Sequence, residues 1–188
     1  MNSSTLQDLI EKTSHYDKDE RYMATNDLCN EFGKGTKIDE IMETRICTAV
    51  VKQLDDSSND VQSVAVKCLG VLIKKVSSAR VAEICEKLSS LVLKGDESLR
   101  DIYSIGLKTL ITDTPEDMGP VIVQILPKQM LEGVNRSPHE GVKKECLDNL
   151  TDLLKRFGSI CTKEHEEVFV PIFILIYVHI YTNVHIYL

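Results

Sequence analysis

From Asn59 to Val76 the chain reads NDVQSVAVKCLGVLIKKV, and Val61, Val64, Ala65, Cys68, Leu72 and Val76 return every three or four positions. That spacing gathers them on one face of an α-helix. The stretch opens with cap-type residues, and the lysines that close it, Lys74 and Lys75, suit the negative end of the helix dipole. The same pattern occurs four times. Arg21 to Leu28, Gln62 to Leu69, Arg100 to Leu107 and Lys143 to Leu150 align without a gap, and each closes on leucine. Four places before that leucine stand Ala24, Ala65, Tyr103 and Cys146; seven places before it stand Arg21, Gln62, Arg100 and Lys143. The closing leucines lie 41, 38 and 43 residues apart.

A period near 40 with one amphipathic helix at a fixed phase marks a HEAT or armadillo repeat array. The expected fold is an all-α, HEAT-repeat (armadillo-like) α-solenoid. Its helical hairpins, each an A helix followed by a B helix, fall at about residues 5–33, 44–76, 79–112 and 120–158 of a solenoid covering 1–167. One hairpin cannot bury its own apolar face, so each repeat must lean on the next.

Local signals agree with that frame. Leu6, Leu9 and Ile10 predict a short first A helix, and Asp17 to Glu20 reads as a capping box opening the first B helix, which Gly33 and Gly35 then end. Ile46, Val50, Val51 and Leu54 form the inner face of the second A helix; Ile84, Leu88, Leu91 and Val92 form that of the third. Asp55 to Asp60 is the turn between the second A and B helices. Gly70 and Gly106 lie inside helices at a cost of about 1 kcal/mol each against alanine, which predicts close approach of a neighbouring helix. Pro120 suits the first position of the fourth A helix and Pro127 interrupts it, a HEAT-like detail. Ser137 to Glu140 combines a serine cap, proline and glutamate, and opens a fourth B helix running to about Phe157.

Residues 168–188 break the pattern. VFVPIFILIYVHIYTNVHIYL has no polar face and no three-four stripe. Four readings stay open for this aberrant apolar tail: the A helix of an incomplete repeat, the end of a truncated or misread coding sequence, a membrane anchor, or a β-prone aggregation segment. Pro171, His179, Asn183 and His185 weigh against the anchor, because polar groups in lipid are costly.

Charge and composition then narrow the function. The net charge is −7, which argues against nucleic acid as the main partner. The six cysteines form no C-x-x-C pair and are expected to be free, mostly buried thiols in a reducing compartment. No zinc, hydrolase or dinucleotide motif occurs, and GKGTK at 33–37 fails the phosphate-loop spacing. No catalytic, cofactor or metal residue is therefore assigned, and no small-molecule substrate is expected. Acidic pairs such as Asp55-Asp56 read as solvated turns, and the basic pairs Lys74-Lys75, Lys143-Lys144 and Lys155-Arg156 as exposed faces and dipole partners.

The B helices carry a more specific likeness. Met23 to Leu28, Ala65 to Gly70, Leu99 to Asp101 with Ser104 to Thr109, and Asp17-Lys18-Asp19 before the first block resemble the N-terminal repeats of the cullin-associated, neddylation-dissociated family, also described as TBP-interacting proteins. The resemblance covers about residues 5–160. It implies a truncated chain of a non-catalytic scaffold, not an enzyme. Members of the family wrap an unneddylated cullin and its RING-box subunit, with the N-terminal repeats gripping near the RING side. They regulate assembly and substrate-receptor exchange of cullin–RING ubiquitin ligases. The implied partners are a cullin and a RING-box protein, and the expected location is the cytoplasm and nucleus. Polar positions on the B helices are the candidate contacts: Asn26, Asp27, Lys67, Arg100, Asp101 and Lys108. The alternatives are a generic HEAT-repeat interaction or transport adaptor, and a helical domain tethered to a membrane by the tail.

Overall fold

The computed structural model describes residues 3–34, 38–164, 170 and 174. The described residues form eight α-helices and no strand: α1 (Ser3–Lys12), α2 (Lys18–Gly33), α3 (Glu40–Lys52), α4 (Asn59–Ile73), α5 (Ser78–Lys94), α6 (Arg100–Asp113), α7 (Gly119–Arg136) and α8 (Glu140–Glu164). Single 3-10 turns precede α6 and α7 and follow α3. Consecutive helices pair: α1 with α2, α3 with α4, α5 with α6, α7 with α8. The pairs then stack. The B helices α2, α4, α6 and α8 pack side by side in one layer, and the A helices α1, α3, α5 and α7 line up in the other. This is the expected all-α, HEAT-like solenoid. The tail readings fall on residues that, apart from Val170 and Ile174, lie outside the described ones, as does the 35–37 part of GKGTK.

The period is what builds the core. The closing leucines Leu28, Leu69, Leu107 and Leu150 are all 0% exposed. Ala24, Ala65, Tyr103 and Cys146, one turn earlier, are buried with them. Burying a leucine contributes roughly 1.5–3 kcal/mol, and only a neighbouring helix can supply that burial. Gly70 and Gly106 are buried where helices meet: a Cβ on Gly70 would fall 2.5 Å from Asp113 Oδ2, and one on Gly106 would sit 3.3 Å from Leu54 Cδ1. The close approach inferred for both is present.

Helix ends follow local chemistry with some differences from the expected boxes. Asp17, Asp39 and Ser77 each accept a backbone N–H of the helix they open. Glu20, expected to complete a capping box, instead lies 3.9 Å from Lys12. Ser137 does accept the His139 N–H at 3.2 Å, but α8 begins at Glu140. Pro120 stands second in α7, after Gly119. Pro127, expected to interrupt that helix, lies inside an unbroken Gly119–Arg136. Its missing N–H leaves one carbonyl in the preceding turn without a helical donor, while the ring itself is buried. Helix α8 runs past its expected end, but its backbone leaves helical geometry at Phe157 (φ −118°, ψ 17°) before resuming to Glu164.

Lys74 and Lys75 do not serve their own helix. Helix α4 ends at Ile73, and Lys75 Nζ donates to the carbonyls of Phe32 (2.9 Å) and Gly33 (2.6 Å) at the end of α2. Lys74 pairs with Asp113 of α6 at 2.7 Å. Two repeats on, Arg156 Nη2 donates to the Thr114 carbonyl at the end of α6, 2.7 Å away. Carbonyls at a helix C-terminus have no partner inside the helix, so a cation from a later B helix satisfies them and meets the dipole.

Candidate functional site

The six candidate residues all lie on B helices, but they do not share one environment. Asn26 of α2 and Lys67 of α4 hold the same position in successive copies; Asn26 is half-buried and Lys67 exposed. Asp27 and Asp101 are exposed. Arg100 is mostly covered, donates to Glu97 at 3.4 Å and lies close enough to α8 that a Cβ on Gly141 would be 3.4 Å from its Nη1. Lys108 faces Glu145 of α8 at 3.8 Å. Lys108 thus faces a carboxylate across the stack and Arg100 is covered beside α8, whereas Lys67, Asp27 and Asp101 present their charges outward.

The copy position of Asn26 and Lys67 is occupied by Ile105 in α6, which is 48% exposed. Tyr22 and Met23 of α2 are exposed on the same layer. Sequence reasoning chose polar residues and passed these over. The signal was available: an isoleucine at a position that reads polar in the other copies has no core to join. Exposed aromatic and long apolar side chains are stronger marks of a binding surface than exposed charges.

The larger miss is the Asp55-Asp56 turn, expected to be solvated. Arg21 Nε and Nη2 donate to Asp56 Oδ2 (2.6 Å) and Oδ1 (2.8 Å), and the Asp56 side chain is only 6% exposed. Arg21 Nη1 also holds the carbonyls of His15 and Tyr16, so it joins the turn of the first repeat to that of the second. Gln62 Nε2 donates to the Asp56 carbonyl at 2.7 Å. From the third repeat, Tyr103 donates its hydroxyl to Asp55 Oδ1 at 2.7 Å. Arg21 and Gln62 occupy the same copy position, and Tyr103 sits where other copies have small residues. A second polar seam joins α6 to α8: Ser104 donates to Glu145, and Asn149 Nδ2 donates to Ser104 Oγ at 3.0 Å.

Burial alone would raise the Asp56 carboxyl. The hydrogen bonds from Arg21 and the Ser58 N–H, with the Arg21 charge, outweigh it and hold the pKa below the usual carboxylate value. A depressed folded pKa contributes stability that is present above the unfolded carboxylate value and is lost as pH falls through the folded one. Asp56→Asn is therefore expected to lower the urea midpoint at pH 7 and to flatten its fall between pH 5 and 3. A variant whose acid limb runs parallel to the parent's would remove Asp56 from that role.

The cysteines offer little chemistry. All six are free and buried. Burial pushes the Cys47, Cys85 and Cys146 thiols up to about 12, so they stay protonated. Cys29 is lowered by a hydrogen bond with Cys68, whose own pKa that contact raises. Among the described residues no group of three His, Cys, Asp or Glu is placed to hold a metal ion, and no helix is long and apolar enough to cross a membrane.

Comparison with known proteins follows the B-helix resemblance. No protein-family model matches the chain. It is 40% identical over 154 residues to Cullin-associated NEDD8-dissociated protein 1 of Arabidopsis thaliana, covering 81% of this chain. It is 38% identical over 167 residues to the protein of the same name from Drosophila melanogaster, covering 87%. In Emericella nidulans it is 32% identical over 127 residues to the N-terminal part of Cullin-associated NEDD8-dissociated protein 1, covering 65% of this chain and 34% of that protein. The chain spans about 13% of the length of the Arabidopsis and Drosophila proteins. By sequence, this chain is a homologue of the cullin-associated NEDD8-dissociated proteins, similar to a stretch that makes up a small part of their length.

Proposed function

We propose that the chain is a non-catalytic scaffold whose B-helix face binds a cullin and its RING-box subunit. On this reading it contributes one grip to a regulator of cullin–RING ubiquitin ligase assembly and receptor exchange. The observation that carries the reading is the 38–40% identity to relatives named for cullin association, spread over 81–87% of this chain. The face supports it: Tyr22, Met23, Asp27, Lys67, Asp101 and Ile105 are exposed, with half-buried Asn26 among them, on a layer packed over the leucine core beneath. Such mixtures of aromatic, apolar and charged groups suit a protein surface better than a small molecule. A solenoid spreads its contacts over many repeats, so a stretch this short binds more weakly than its full-length relatives.

The test is capture of a purified cullin–RING-box complex by the chain. Ile105→Asp combined with Lys67→Glu is expected to weaken capture about tenfold or more, equivalent to losing roughly 1.4 kcal/mol, with the helical spectrum unchanged. Absence of capture by the parent chain at high micromolar concentration would overturn the cullin reading and leave a generic helical-repeat adaptor.

A further inference from the structure

The A-helix layer, on the other side of the molecule from the proposed cullin face, carries a groove of about 360 Å³ between α3 and α5. Helices α3 and α5 pack less closely than α5 and α7 do. The α3 wall is built from small residues at one helical face, Thr44, Cys47, Thr48 and Val51. Both threonine hydroxyls donate to their own helix, Thr44 to the Glu40 carbonyl and Thr48 to the Thr44 carbonyl, each at 2.8 Å. That leaves the wall apolar in effect, and Ile84 and Leu91 continue it on α5.

The charges around this floor are unequal in a way the composition conceals. The groove has two carboxylates, and both are engaged: Asp55 accepts from Tyr103, and Glu83 lies 2.5 Å from Arg80. It has three cations, and Arg80 alone is engaged. Lys52 on α3 and Lys87 on α5 are exposed, one on each wall, and neither has an ionic or hydrogen-bonded partner among the described residues. In a chain of net charge −7, the lining of this apolar trough holds three cations against two carboxylates, and its two lysines stand exposed and unpaired on opposite walls.

From this we propose that the groove docks a short acidic, amphipathic segment of a protein partner. Its apolar side chains enter between α3 and α5, and its carboxylates reach Lys52 and Lys87. The size fits. Thr44 to Lys52 spans roughly 12 Å at the ~1.5 Å rise of a helix, the reach of about four extended residues. The volume is at the low end for ligand-sized sites, so a few side chains enter and a folded domain does not. The apolar floor disfavours a polyphosphate backbone, which has no apolar side chain to place between α3 and α5. The proposal is independent of the cullin reading, because it concerns the opposite layer.

The probe is a short fluorescein-labelled synthetic peptide of alternating glutamate and leucine, titrated with the full chain by anisotropy. Its lysine–leucine counterpart, a single-stranded polythymidine and phosphatidylserine vesicles serve as rivals. Expected is saturable binding of the glutamate–leucine peptide only. Its affinity should fall at least tenfold in Lys52→Glu combined with Lys87→Glu, and equally in Thr48→Trp, which fills the trough from an exposed position. Lys128→Glu, an exposed lysine of α7 outside the groove, should leave it unchanged. The proposal is overturned if no peptide binds, if the double variant binds as the parent does, if Lys128→Glu costs as much, or if polythymidine or the vesicles bind more tightly than the peptide.

Discussion

Leu69→Asp is expected to abolish the cooperative thermal transition of the chain or to move it down so far that the protein is largely unfolded at room temperature. Leu69 is 0% exposed at the middle of α4, and its Cδ2 lies 3.7 Å from where a Cβ on Gly106 of α6 would stand. Removing a buried leucine side chain costs about 2–5 kcal/mol on its own. An unpaired carboxylate in the same place adds several kcal/mol of desolvation, or takes up a proton to avoid it. A domain of this size has about 5–15 kcal/mol in all. The damage is not confined to one repeat, because α4 packs on both α2 and α6. Circular dichroism melting checks the result; a melt that overlays the parent's would show that the closing leucine is not a core residue.

Phe157→Ala is expected to destabilise by about 3–5 kcal/mol, the usual cost of emptying an aromatic site. At a urea dependence of about 2 kcal/mol/M, that moves the midpoint by roughly 2 M. Phe157 is buried where α8 leaves helical geometry, and its ring sits so near the start of α7 that a Cβ on Gly119 would be 2.9 Å from it. The Arg156 guanidinium lies 5.2 Å from the ring centroid and caps the Thr114 carbonyl. Hydrogen exchange should therefore accelerate first in α7 and α8, with α2 and α4 less affected. Uniform acceleration from α1 to α8 would contradict this placement.

The contrast between these sites and the polar turns shows what a sequence carries openly. Leu28, Leu69, Leu107 and Leu150 were legible because burial on a helix face repeats with a local period, and the period of the array repeats that in turn. Gly70 and Gly106 were legible as a cost needing a reason. The Asp55-Asp56 turn was not, because its partners Arg21 and Tyr103 lie 35 and 48 residues away in the chain. An aspartate in a turn reads the same whether water or an arginine faces it. Lys75 illustrates the same limit: the dipole argument found the right kind of partner but the wrong helix, since a lysine's long stem reaches across the stack. Among the candidate contacts, the polar bias of the choice hid Ile105, and it could not separate Lys67, which stands outward, from Arg100 and Lys108, which are held by neighbours.

A stack whose junctions were all made of the same contacts would flex at every junction alike. Here the turn at Asp55 and Asp56 is bolted to the first and third repeats at once, while α3 and α5 on the A side pack loosely. Stiffness is therefore uneven across the thickness of the molecule. Curvature imposed on these repeats is expected to open or pinch the A side before it disturbs the leucine-packed layer.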